Sequence, residues 1–352
     1  MATTSSRTCA NCGNQPLIDP WICVSCHNVP KYQDDEPSDV YCNSICQQRH
    51  VPIHKVVCDL RIKRKHLLRA AILMKTTFIS FRGCLYGRPL VAIIAHNDEL
   101  HLLMDTGHVA ACTWYYPFPD DVAASEEDKE AALSIQNCNA SASICGPLAG
   151  QLLKGVASSM ELLCVDAKPR VLARFITHVD DPERPADDYP LHTIVAVQIE
   201  QEKWVIDMTG SQFGFPDLIS PYDKYMNDCN GTVEAAPCHY PVTETDDLDR
   251  SNFFPPPQNF VVSEGILSHR AHERAGRNYL KTLVDKRFFD ERYPTFAADF
   301  LRRSEDDFQE GVDEWMGDVK HHMMLFVNHM AGKFYPYESD WGRIAAKDMG
   351  QD

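Results

Sequence analysis

The chain has 352 residues, of which 44% are hydrophobic, and its 50 acidic against 34 basic residues give a net charge of −16. This is enough apolar material for a small module plus one or two compact domains, which excludes wholesale disorder. The acidic balance argues against nucleic acid as a partner, because phosphate contacts need clustered Lys and Arg. No uncharged apolar run approaches the roughly 20 residues of a membrane span, the stretch from Leu67 to Phe81 being interrupted by Arg69 and Lys75.

After a short tail (1–8), expected to be disordered, the chain presents eight potential metal ligands in four spaced pairs: Cys9 and Cys12, Cys23 and Cys26, Cys42 and Cys46, His54 and Cys58. A Cys-x-x-Cys knuckle lets two thiolates reach one ion, and a three-residue gap puts both ligands on one face of a helical turn. Four half-sites imply two closed tetrahedral Zn²⁺ sites. A module this short buries too little apolar surface to offset its chain entropy, so bound metal is expected to supply most of its folding free energy. His54 is preferred to His50 as the histidine ligand because it forms the His-x3-Cys pair, and His27 follows Cys26 too closely to share its ion. The insert from Asn28 to Val40, with Asp34, Asp35 and Glu36, reads as a solvated loop.

The spacing, the Tyr41-Cys42 and Cys46-Gln47 steps and the ending His54-Lys55-Val56-Val57-Cys58 resemble a MYND-type zinc finger over residues 9–58. By that resemblance the pairs interleave: Cys9, Cys12, Cys42 and Cys46 would hold one zinc, and Cys23, Cys26, His54 and Cys58 the other. The resemblance further implies an adaptor that docks proline-containing peptides of protein partners. Some such fingers sit inside SET-domain methyltransferases, but this chain has no Asn-His-Ser-Cys-type cofactor motif. Nor does it carry a phosphate-binding Gly-rich loop or a dinucleotide fingerprint.

Seven cysteines remain outside the module, Cys84, Cys112, Cys138, Cys145, Cys164, Cys229 and Cys238. An odd number without spacing logic, and no N-terminal apolar signal segment, suits reduced thiols in a cytoplasmic or nuclear compartment. Residues 59–82 read as a connecting helix that continues the one ending the module. Its cluster Arg61, Lys63, Arg64, Lys65 and Arg69 reads as a solvated basic face, with a nuclear-import patch as the other reading.

An α/β domain is expected over 83–240, making the fold α+β. Leu90 to Ala95 and Leu100 to Asp105 suit a hairpin around His96 to Glu99. A loop with Pro117, Pro119 and the acidic run Ser125 to Glu130 leads to a second helix, expected from about Gly146 to Leu163 with Pro147 in its first turn. Val171 to Ile176 alternates as a strand, and Asp180 to Tyr189 reads as a surface loop. His192 to Ile199, a polar turn from Glu200 to Lys203, and Trp204 to Met208 form an antiparallel hairpin. If its register pairs Asp207 with Ile194, His192 and Asp207 are diagonal neighbours on one face.

A carboxylate on one ring nitrogen orients an imidazole whose other nitrogen can deprotonate a nucleophile. A cysteine at a helix N-terminus would complete that set. Two cysteines qualify: Cys145, directly before Gly146-Pro147, is preferred, and Cys138 is the alternative, at the cost of placing Pro147 inside its helix. The order helix-start Cys, His at a strand start and Asp about 15 residues on resembles the transglutaminase-like and wider papain-like core. The segment His192 to Gly214 is similar to a region of uncharacterised fungal proteins that carry a MYND finger. That resemblance implies acyl transfer or amide hydrolysis by Cys145, His192 and Asp207, with Gln212 bonded to nearby backbone. The segment from Pro241 to Pro257 reads as a linker. The region 258–352 reads as helical, with Ser263 capping a helix to about Lys286 and Ser304 capping another to about His329. The histidines of this region, among them His269, His272, His321, His322 and His329, are assigned no metal.

Overall fold

The computed structural model describes residues 8–16, 19–33, 35, 39–87, 90–96, 98–104, 117–119, 121–176, 191–240, 264–288 and 296–334. The expected N-terminal tail up to residue 7, the loop from Asp180 to Tyr189, the Pro241 to Pro257 linker and the cap at Ser263 lie outside them.

A short ladder pairs Trp21–Ile22 (β1) with Val40–Tyr41 (β2). Asn43 then caps a helix, its side-chain oxygen accepting from Cys46 N at 3.0 Å, and the helix runs unbroken from Ser44 to Cys84 (α1). At 41 residues it is about 60 Å long, so metal-ligand text and connecting text are one rod. Next come Leu90–His96 (β3), Glu99–Met104 (β4), Glu126–Ser134 (α2), Cys138–Leu152 (α3), Ser159–Asp166 (β5) and Leu172–Ile176 (β6). His192–Ile199 (β7), Glu202–Ile206 (β8), Ile219–Pro221 (β9), Tyr222–Asp228 (α4), Thr232–Val233 (β10) and Cys238–His239 (β11) follow. The described chain closes with Glu264–Phe288 (α5), Phe296–Arg302 (α6) and Glu305–Phe334 (α7). Ser304 caps α7, its Oγ accepting from Asp307 N at 3.2 Å.

The fold is therefore α+β. The main sheet runs β10-β5-β7-β8-β9, with β11 also pairing β5, and among the described residues its neighbouring strands are all antiparallel. A second sheet, β3-β4-β6, joins a hairpin to a parallel third strand. One apolar cluster unites α1, α3, the main sheet and the C-terminal helices, around Leu67, Phe78, Leu148, Val197, Trp204 and Trp315. Trp315 donates its indole N–H to Thr77 Oγ1 at 2.7 Å, tying α7 to α1. Among the described residues no helix is long and apolar enough to cross a membrane.

Four expectations are corrected. The second helix starts at Cys138, not near Gly146, and ends at Leu152. Gly155, at φ 77°, turns the chain out of helix, and the text from Met160 to Val165 pairs as a strand. Pro147 thus sits inside α3, where a proline costs about 3 kcal/mol. Burial of the same turns at Ala142, Cys145, Leu148, Ala149 and Leu152 offsets that cost. The acidic run after Ser125 is not loop but the first turn of α2, with Ser125 Oγ accepting from Asp128 N at 3.0 Å. Carboxylates there meet the positive end of the helix dipole.

The third correction concerns the basic cluster, which is neither a solvated face nor an open import patch. Arg61, Arg64 and Arg69 are buried. Arg69 donates to the carbonyls of Leu301 and Arg303 and to Glu305, and its guanidinium lies 4.6 Å from the Phe308 ring centre. Arg64 grips Glu202 of β8 through two nitrogens and also bonds Asp35. The fourth follows from it, because the insert after Cys26 is docked rather than solvated at its described residues. Tyr32 packs on Trp204 with ring centres 5.3 Å apart and accepts from Lys203 N at 3.2 Å. Asp34 and Glu36 lie outside the described residues.

The Arg64 and Glu202 charges are both buried, so removing Glu202 leaves Arg64 with Asp35 as its one carboxylate partner and its Nε without its acceptor. Glu202→Ala is expected to cost about 3–5 kcal/mol in denaturant unfolding. Lys63→Ala, which breaks the more exposed pair with Glu200, should cost under about 1 kcal/mol. Equal losses in the two variants would contradict the clamp.

Candidate functional site

The N-terminal ligand pairs meet as two sets. Cys9, Cys12, Cys42 and Cys46 form one, and Cys23, Cys26, His54 and Cys58 the other, with all ligand atoms of each set within 4.8 Å of one another. The first set joins a knuckle beside β1 and β2 to the step at the start of α1; the second joins the turn after β1 to the next turns of α1.

The spacing fits metal. With Zn–S near 2.3 Å, sulfurs at tetrahedral corners stand about 3.8 Å apart. Cys12 and Cys42 are 3.6 Å apart, Cys12 and Cys46 4.0 Å, and Cys23 and Cys58 3.8 Å. His54 presents Nε2 to Cys26 Sγ at 3.4 Å, while its Nδ1 bonds Asp39 Oδ2 at 2.8 Å. A carboxylate on the far nitrogen fixes the tautomer and ring of a metal-binding histidine. Asp39 was not picked out by sequence spacing. His50 does not stand in either set of four: its Nδ1 lies 3.2 Å from Tyr41 Oη, although it falls near Asp39 and His54 in a third, three-residue group. Both sets of four could hold a metal ion.

A second constellation lies in the main sheet. The ladder pairs Val195 with Ile206, and extending it by one residue places Asp207 opposite Ile194. His192 Nε2 reaches Asp207 Oδ2 at 2.9 Å, with both residues buried. Asp207 Oδ1 accepts from Thr209 N at 3.1 Å, and Oδ2 also accepts from Tyr225 Oη at 2.7 Å. Burial alone would raise the Asp207 carboxyl, but the His192 charge and these donors hold it below its ordinary value. Burial would lower His192, yet the Asp207 charge and hydrogen bond, joined by Cys138, push it up to about 10. The other ring nitrogen, Nδ1, has no conventional hydrogen-bond partner among the described residues.

The cysteine that joins this pair is Cys138, not Cys145. Cys145 sits inside α3, fully buried, with its thiol donating to Met74 O at 3.1 Å, and burial pushes that thiol far up. Cys138 is the first residue of α3. Burial would raise it as well, but the neighbouring His192 charge and the backbone N–H groups of Thr193 and Asn139 bring it below the ordinary thiol value, and its Sγ lies 3.8 Å from Leu191 O. The N-cap Asn137 makes no side-chain cap bond, so the helix N-terminus is not closed by its own side chain. The placement is fixed from the sheet to the helix, since Thr193 of β7 donates to Asn139 Oδ1 of α3 at 2.5 Å. Gln212 bonds backbone, accepting from Gln136 N at 2.9 Å and donating to Thr209 O at 3.1 Å. It thereby ties the residues before Cys138 to those after Asp207.

Such an arrangement can generate a thiolate beside an imidazolium and pass its proton on. Tyr225 has no short-range signal, since the phenol comes from 18 residues beyond Asp207. No family model matches the chain, and neither a curated protein nor a solved structure matches it.

Proposed function

We propose that this protein is a zinc-binding interaction protein whose N-terminal MYND-type finger holds two Zn²⁺ ions and docks proline-containing peptides of partner proteins. The observation that carries the reading is the pairing of four ligands with four across 9–58, interleaved as the MYND resemblance implies. Both sets are closed by protein ligands, so zinc there supplies folding free energy rather than an open catalytic position. Most of the large apolar side chains left in solvent among the described residues belong to this module, with Trp21, Val24, Ile45, Ile53 and Val56 among them. An exposed apolar surface on a small module favours a protein partner, and an aromatic ring such as Trp21 offers a flat face to proline. Its indole N–H is held by Gln47 Oε1 at 2.7 Å, which sets the ring's direction.

A second reading is favoured by the Cys138, His192 and Asp207 constellation: a cysteine-dependent acyl transferase or amidohydrolase of transglutaminase-like fold, carrying the finger as a targeting device. In it the Cys138 sulfur attacks an amide carbonyl carbon, the C–N bond breaks, and His192 delivers the thiol proton to the departing amine. The thioester then passes its acyl group to water or a second amine, with Asp207 holding the imidazole throughout.

Titration of the full chain with a Pro-Leu-containing peptide is expected to show saturable binding. Trp21→Ala should weaken it about tenfold, the scale of an aromatic hot spot, and a zinc chelator should abolish it. Absence of binding to any such peptide by the zinc-loaded chain would overturn the docking. For the second reading, an electrophilic acyl or glutamine mimic should label the wild type and Cys145→Ala but not Cys138→Ala. Labelling that survives in Cys138→Ala would remove that cysteine from the chemistry.

A further inference from the structure

We infer that Tyr225 is a positioning residue for the Cys138 site, holding the Asp207 carboxylate that in turn orients His192; the inference rests on the cysteine-enzyme reading. Tyr225 lies in α4, outside the hairpin that carries His192 and Asp207. Its Oη donates to Asp207 Oδ2 at 2.7 Å, the same oxygen that meets His192 Nε2 at 2.9 Å. Thr209 N takes the other oxygen. Three donors thus share one buried carboxylate and fix its plane.

The pocket leaves little freedom for the carboxylate to move. A Cβ built on Gly210 would come within 2.6 Å of Asp207 Oδ2, so the backbone there already abuts this oxygen. The Tyr225 ring is held apart from its hydroxyl, edge-on to Phe215 with ring centres 6.0 Å apart. Burial, the Asp207 charge and its hydrogen bond push the phenol well above its ordinary value, so it stays a neutral donor. Arg170, Asp217, Lys224 and Asp228 line the cavity beside Tyr225, and the nearby thiols are Cys164 on β5 and Cys229 after α4. Burial raises both, with Cys138 and Glu234 adding to the first and Asp207 and Asp228 to the second, so both remain neutral thiols.

A buried carboxylate is expensive unless its oxygens are hydrogen-bonded. Losing the phenol hydroxyl makes ionised Asp207 less favourable, which weakens its support of the imidazolium. The imidazolium in turn supports the Cys138 thiolate, so thiolate formation moves to higher pH.

The test is the rate of Cys138 alkylation by iodoacetamide in the full chain, followed from acid to alkaline pH by peptide mapping, with melting temperature recorded alongside. Wild type is expected to react with an apparent pKa below that of an ordinary thiol, and His192→Ala to lose that depression. Tyr225→Phe, which keeps the ring contact with Phe215, should move the profile up by about one unit, a tenfold loss of thiolate at fixed pH. A purely structural role would lower the melting temperature and leave the profile in place, which would overturn the inference while the low, His192-dependent profile of the wild type stood. An ordinary wild-type profile, indifferent to His192→Ala, would instead overturn the cysteine-enzyme reading. Because Tyr225 acts through Asp207, the double variant Asp207→Asn with Tyr225→Phe should match Asp207→Asn alone. It supplies the comparison if Tyr225→Phe does not fold alone, and a further shift in it would overturn the inference.

Discussion

One buried guanidinium, that of Arg64, joins three parts of the chain that are far apart in sequence. It leaves α1 just beyond Cys58 and bonds Glu202 at the start of β8 and Asp35 in the insert between Cys26 and Cys42. Burying an arginine is unfavourable unless its donors are met. Both carboxylates and the Pro30 carbonyl meet them, and the Tyr32 and Trp204 rings wall the group in. The N-terminal segment that carries the two Cys/His sets is therefore not tethered by a flexible linker: the helix that ends it is the helix on which the core is built.

The same hairpin that Arg64 grips carries His192 and Asp207. Glu202 opens β8, and Asp207 follows that strand's last residue, so the clamp and the buried pair occupy opposite ends of one strand. Around Asp207 the pattern repeats on a smaller scale. A charge that would be intolerable alone is satisfied from β7, from the turn after β8 and from α4. Both nodes are charged centres satisfied from several elements at once, and each limits how the elements around it can move. Desolvation is the shared constraint, because it is what makes a missing partner costly.

That non-locality explains what could be read in advance. The candidate ligand pairs are short-range, since metal geometry limits their spacing, and the hairpin register is short-range too, so the two Cys/His sets that could hold metal and the His192 to Asp207 contact were legible. The continuity of α1 was legible because its helical text does not break at Cys58. Cys145 misled for a local reason: a proline is most comfortable in the first turn of a helix, and that preference placed the helix start about eight residues late. Core burial of α3 outweighed it. The arginines misled because a basic run in a polar window looks solvated, and only the fold brings Glu202, Asp35 and Glu305 to them. Asp39 and Tyr225 support the two sites from positions that no spacing rule marks.

The central claim is that a finger folded by two metal ions is built into this core through α1. Elemental analysis of the purified full chain, combined with circular dichroism before and after chelation, tests it most directly. The account predicts two zinc ions per chain, with chelation melting the finger and reducing the stability of the attached core. A chain that holds no zinc, or one that loses its zinc with no change in fold or stability, would contradict it.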